Sequence, residues 1–248
     1  MLKLRFVAVV PVIVVMAAAL SGSIATVSAG VTAPTDVVSI SPSGVTVGVA
    51  HPVTVTFEGR IADRTAAENS IDITSPEMPA GNFTWRGDNV LQWNPSEFWP
   101  AHSTIALSVG GVKTNFQTGS ATVGVADISA HTFTVSMDGE VMREMPASMG
   151  KYGFATPIGS FTALEKQSVV IMDSRTIGIP LDDPEGYKLT VYDAVRVTWG
   201  GVYVHGAPWS TGSQGYENVS HGCINLSPDN ADWYYNTVRI GDPIIVQA

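Results

Sequence analysis

Cysteine is almost missing from this chain: Cys223 is the single thiol in 248 residues. One cysteine cannot close an intramolecular disulfide, so the fold must rest on packed cores and hydrogen-bonded backbone. Basic residues are also few, 13 Lys and Arg against 22 Asp and Glu, for a formal net charge of −9. That balance argues against nucleic acid as a partner and against electrostatic docking on an anionic membrane. Charged residues make up only 14% of the chain and apolar ones 45%, a balance that does not indicate disorder and can fill real cores. Helical periodicity is scarce too. In the first half only the stretch DRTAAENSI, at 63–71, has a 3.6-residue apolar period.

Only one apolar run is long, and it lies at the start. Lys3 and Arg5 precede an uncharged stretch from Phe6 to Leu20, and small residues lead on to Val27, Ser28 and Ala29. The run suits a signal-peptide core, is short for a membrane span, and is followed by a plausible cleavage site. Residues 1–29 are therefore expected to be a signal peptide, with an uncleaved anchor as the alternative. No cysteine stands after Leu20 to carry a lipid. The protein is expected outside the cytoplasmic membrane, in the periplasm or cell wall, with no transmembrane domain after cleavage.

From residue 34 to 119 short alternating runs are broken by turn residues. Val45, Val47 and Val49 alternate, as do Val53, Val55 and Phe57, and Arg86-Gly87-Asp88-Asn89 sits between two strand-like arms. Gly110-Gly111 breaks a third such pair. Turn chemistry accounts for Arg86-Gly87-Asp88 without an adhesion role. Several short strands of this kind predict an immunoglobulin-like β-sandwich. A second unit, 121–248, begins with a hairpin around Asp138-Gly139 and places Pro157 and Gly159 in a tight loop. Residues 168–174 read as a buried strand, followed by a loop rich in Pro and Gly up to Tyr187. Val195, Val197 and Trp199 alternate into Gly200-Gly201, so His205 falls at a strand end. Ser227 and Pro228 open one short helix. The whole is expected to be all-β, or β-rich with a short helix.

The chemistry gathers in HGAPWSTGSQGYENVSHGCIN, residues 205–225. A thiol attacks a carbonyl only with a base to take its proton and donors to hold the resulting oxyanion. His205 and His221 can each serve as base. If the chain is extended from His221 to Cys223, the two side chains leave one face, and the imidazole lies alongside the sulfur rather than facing it. His205 comes from a separate strand and can be aimed across the site, its ring steadied by a backbone carbonyl. That choice favours His205. The Gly222 and Cys223 N–H groups can point inward because Gly222 has no side chain. Two other readings stay open. His205, His221 and Cys223 could supply three zinc ligands, although no second cysteine or HExxH accompanies them. An inert buried cysteine in a binding module is the other.

The segment VYVHGAPWSTGSQGYENVSHGCINLSPDNADWYY resembles the signature of the L,D-transpeptidases of peptidoglycan synthesis: a His, a spacer, then Ser-His-Gly-Cys-x-Asn. ATPIGSF, at 155–161, is similar to the family's second hallmark, and ISPSGVTVGVAHPVTVTF resembles the immunoglobulin-like domain of mycobacterial-type members with one such domain. The resemblance implies that Cys223 is the nucleophile and His205 the base, oriented by the carbonyl of Gly206. Gly222, Cys223 and Tyr187 would hold the oxyanion. Ser220, His221, Asn225, Tyr187, Met172 and Trp209 would shape the substrate site, with a lid from Met172 to Tyr187. The substrates implied are peptidoglycan stem tetrapeptides, as donor and acceptor. The carbonyl of the stem's third residue, of meso-diaminopimelate type, is attacked, D-Ala leaves, and a second stem's amine resolves the acyl-enzyme into a 3→3 cross-link. No cofactor and no metal are implied. Carbapenem inhibitors should acylate the same thiol, and the role would lie in cell-wall biogenesis and cell shape. An L,D-carboxypeptidase with the same site and a non-catalytic wall-binding module are the alternatives.

Overall fold

Alternation of apolar and polar residues builds the first half as two facing sheets. The structure, a computed structural model, describes residues 37–248; the expected signal peptide and residues 34–36 lie outside the described residues. One sheet runs Val37–Ser41, Val53–Phe57, Val90–Pro95, Gly81–Arg86, and the other Thr46–Val47, Val112–Thr118, Thr104–Val109, Ile71–Thr74. Val53, Val55 and Phe57 are buried while Thr54 and Thr56 between them are not. They meet Ile105, Leu107, Val109 and Phe116 of the opposite sheet in one core. Trp99 stands between the Trp93 ring at 4.8 Å and the Phe116 ring at 5.8 Å, and its Nε1–H donates to His51 O at 2.9 Å. This is the sandwich the alternation predicts. Gly87 has φ +70°, and Gly110 and Gly111 have φ +55° and +90°, so the turns fall where the sequence places them. The stretch 63–71 yields the helix Arg64–Asn69, with Asp63 accepting from Ala66 N–H as its cap.

The second half has a five-stranded sheet in the order Glu140–Pro146, Thr132–Met137, Thr122–Asp127, Pro243–Gln247, Gly159–Thr162. A four-stranded sheet follows the order Glu165–Asp173, Lys188–Arg196, Tyr203–Gly206, Ile224–Leu226. The helix Pro228–Thr237 starts on its Ser227 cap and buries Ala231 and Tyr234. Tyr234 stands edge-on to Phe133 of the five-stranded sheet at 4.9 Å, and Val195, Val204, Ile224 and Leu226 of the other sheet share that core. Asp138 and Gly139 both take positive φ, +49° and +89°, as a two-residue hairpin requires.

Backbone joins the two halves. Gly48 N–H donates to Ile240 O at 2.8 Å and Ala50 N–H to Gly241 O at 2.9 Å. The chains approach so closely that a Cβ on Gly48 would lie 2.0 Å from Asp242 N. Among the described residues no helix is long and apolar enough to cross a membrane.

Candidate active site

Strand pairing brings His205 and Cys223 together across the residues between them. Tyr203–Gly206 is buried along its length and runs parallel to Ile224–Leu226, with His205 opposite Asn225. Opposed residues share a face, and period-2 alternation carries that face back to Cys223, the residue just before the strand. His205, Cys223 and Asn225 line one cavity of about 350 Å³. Met172, Tyr187, Trp209, Ser220 and His221 line it too, so the substrate-shaping residues expected from the sequence all face the same space. A second cavity, of about 390 Å³, opens on the Gly201 and Tyr203 side, and Cys223 belongs to its wall as well.

The His205 Nδ1–H donates to Gly206 O at 2.9 Å, which fixes the tautomer and leaves Nε2 as an acceptor. Burial holds this imidazole down at about 4, against the opposing pull of the Gly206 carbonyl. Gly206 itself has room for a small side chain, since a Cβ there would meet Ala231 at 3.5 Å, an ordinary contact. The thiol packs against Val191, Ala194 and Tyr203. Burial pushes it up to about 11, against a hydrogen bond from Tyr203 backbone. Its S–H donates to Gly201 O at 3.7 Å. Thiol and imidazole are both neutral.

The turn before Cys223 departs from the extended segment expected for His221 and Cys223. Gly222 has φ +114°, in the left-handed region, so the two side chains do not leave a common strand face. Ser220 Oγ accepts from Gly222 N–H at 3.0 Å and donates to Cys223 O at 2.6 Å. Thr156 Oγ donates to Gly222 O at 2.9 Å. The Gly222 N–H, expected from the sequence to face an oxyanion, is here bonded to Ser220 Oγ. The Cys223 N–H has no acceptor among the described residues. Tyr187 keeps its phenol proton, its pKa raised by burial and then by Cys223 and Asp173. Asn225 Nδ2 donates to Ser210 Oγ at 3.2 Å, and Gln214 reaches the same hydroxyl. Trp209, half exposed, lies with its ring 6.0 Å from that of His205.

His221 has a different occupation. Its Nε2 meets Glu185 Oε2 at 2.8 Å, and the same oxygen accepts from Lys151 Nζ. Lys151, Glu185, Thr156, Ser210 and Gln214 are the site residues that sequence reasoning missed. Thr156 stood in ATPIGSF, Ser210 and Gln214 in the stretch 205–225 and Glu185 in the lid from Met172 to Tyr187, all singled out in the sequence without these residues being named; Lys151 stood outside them. Among the described residues no group of three or more His, Cys, Asp or Glu side chains is placed to hold a metal ion.

A profile of the L,D-transpeptidase catalytic domain matches residues 121–246, and one of a bacterial Ig domain matches residues 15–115. L,D-transpeptidase 1 of Mycobacterium tuberculosis is 56% identical over 244 residues, spanning 98% of this chain and 97% of that protein. An L,D-transpeptidase from Mycobacterium smegmatis superimposes with a TM-score of 0.83 at 69% identity, covering 87% of this chain and 100% of its own. Another, solved in complex with imipenem, gives 0.81 at 58% identity over 86% of this chain and 99% of its own.

Proposed function

This chain belongs to the L,D-transpeptidase family, and we propose that it forms 3→3 peptidoglycan cross-links through an acyl-enzyme on Cys223. The observation that carries the reading is the placement of Cys223 and His205 on one cavity wall, with the imidazole held from behind by Gly206. The chemistry would be confined to the second unit, residues 121–248, and would take place outside the cytoplasmic membrane.

Both groups start neutral, so the proton moves as the bond forms. Cys223 Sγ attacks the carbonyl carbon of the third residue, of meso-diaminopimelate type, in a donor tetrapeptide. His205 Nε2 takes the S–H proton. The carbonyl π electrons move to oxygen, where the Cys223 N–H and the Tyr187 hydroxyl are the available donors. Collapse breaks the bond to the terminal D-alanine, whose nitrogen leaves with the proton from His205. The thioester then faces the side-chain amine of an acceptor stem. Attack gives His205 a proton from that amine, and the departing sulfur recovers it. Because Cys223 lies on the walls of two cavities, the acyl group formed from one side can be met from the other. Water reaching the thioester instead would give L,D-carboxypeptidase chemistry. Carbapenems, one of which a relative binds, are expected to acylate Cys223 by the same first step.

The test is product analysis with a disaccharide-tetrapeptide. Cross-linked dimer with free D-Ala is expected, and Cys223→Ala should lose both the dimer and the mass adduct with imipenem. Tripeptide and D-Ala without dimer would make the protein a carboxypeptidase. No D-Ala and no adduct would leave a wall-binding module.

A further inference from the structure

The lid loop between the strands Glu165–Asp173 and Lys188–Arg196 is a compact body whose hydrogen bonds beyond its own neck, among the described residues, all come from one side chain. Ser174 N–H donates to Tyr187 O at 2.9 Å and Tyr187 N–H to Ser174 Oγ at 3.0 Å, closing the loop at its neck. Within it the backbone folds back so tightly that a Cβ on Gly186 would lie 2.4 Å from Pro180 O. Among the described residues, every hydrogen bond of residues 174–187 is internal or runs to Asp173, apart from two. Glu185 makes both. Its Oε2 accepts from Lys151 Nζ and meets His221 Nε2 at 2.8 Å.

The two partners belong to the body of the site. Lys151 N–H donates to Ser220 O at 3.0 Å, so Lys151 is anchored on the turn that precedes Cys223. The His221 ring is held between Phe154 at 4.6 Å and Tyr187 at 5.0 Å. The Glu185 carboxyl is kept below the usual range by the Lys151 ammonium first and His221 second, so it is ionised when it binds them. Charge-assisted hydrogen bonds of this kind are the strong ones among side chains.

We propose that Glu185 is a positioning residue, a latch that holds the lid over the Cys223 cavity by joining Lys151 and His221. Its effect on substrate rests on the transpeptidase reading, whereas the latch itself does not. An untied lid swings about its neck, taking Thr176 and Ile177 off the wall of the second cavity while the Ser174 hydrogen bonds keep Tyr187 in place, so a bound stem is held less tightly. The reacting atoms are untouched.

The experiment uses the full chain. Glu185→Ala should raise KM for a tetrapeptide stem by about 5-fold and leave kcat within about twofold, the signature of lost binding rather than lost transition-state contact. Lys151→Met should give part of the same change. The double variant should be no worse than Glu185→Ala, because both remove one interaction. Glu185→Gln, which keeps an acceptor oxygen, should recover part of the loss. Amide hydrogen exchange in residues 176–186 should speed up in Glu185→Ala and not elsewhere. Unchanged lid exchange, or additive losses in the double variant, would overturn the latch. A loosened lid in a protein that makes no cross-link would keep the latch and remove the transpeptidase reading.

Discussion

At the scale of single residues, the site is set up by two neutral groups whose burial keeps them so. Cys223 stands at about 11 and His205 at about 4, so no thiolate–imidazolium pair exists between those values. Alkylation by iodoacetamide, which needs a preformed thiolate, should therefore be slow at neutral pH and climb toward pH 11. A plateau already reached near about pH 9 would contradict the burial argument. Acylation by imipenem should use His205 instead, and His205→Gln should slow it by about 10²-fold, the usual loss for a general base. Unchanged acylation in that variant would pass the role to another group. The lone thiol and its distance from His205 made this pair legible in the sequence. Glu185, Lys151 and Thr156 were not legible, because each acts through convergence of three separate segments that no local pattern encodes.

At the scale of elements, the turn before Cys223 is the piece on which the site's shape depends. Gly222 sits at φ +114°, with its N–H on Ser220 and its carbonyl under Thr156. An L side chain at such a φ is strained whatever space surrounds it, by about 1–3 kcal/mol. Gly222→Ala should lower the stability read from urea unfolding by about that amount, and should also slow acylation. An unchanged urea midpoint would mean that the turn can relax. Hairpins and the helix were readable because their signals are local: Asp138-Gly139, Gly110-Gly111, and Ser227 before Pro228. The parallel pairing of Tyr203–Gly206 with Ile224–Leu226 was not. A three-residue strand carries too little alternation to be seen, and its partner lies beyond a long loop. The same shortness explains why Gly222 was read as part of an extended segment.

At the scale of the whole molecule, two β-rich halves were evident from alternation, but not how they join. Gly48 looks like one more residue in an alternating run until Asp242 is found where its side chain would be. Asp242 is fully buried there, and burial raises its carboxyl to about 7, only partly offset by Arg239 N–H, the Arg239 charge and Lys166. One carboxylate oxygen has no hydrogen-bond partner, and neither has the nearby Tyr234 hydroxyl. A pKa raised on folding means that the folded protein holds a proton the unfolded chain gives up above the ordinary value of 3.8. The stability from this group is complete below that value and is lost as pH rises through about 7. Asp242→Asn fixes the neutral form. Thermal melts at about pH 5 and about pH 8 should differ more in the parent than in this variant, and equal differences would place the carboxyl elsewhere on the scale.

The sulfur on the walls of two cavities carries a consequence for the order of events. On the proposed mechanism the acyl group must be on Cys223 Sγ, with D-Ala expelled, before an acceptor amine can attack its carbonyl carbon, so the two halves of the reaction are separated in time. The first product must depart before the second substrate is used, and velocities measured against either stem should fall on parallel lines in a double-reciprocal plot. Between those moments the enzyme would be a carrier, and the lifetime of the proposed thioester would decide whether the wall gains a bond or only loses an alanine.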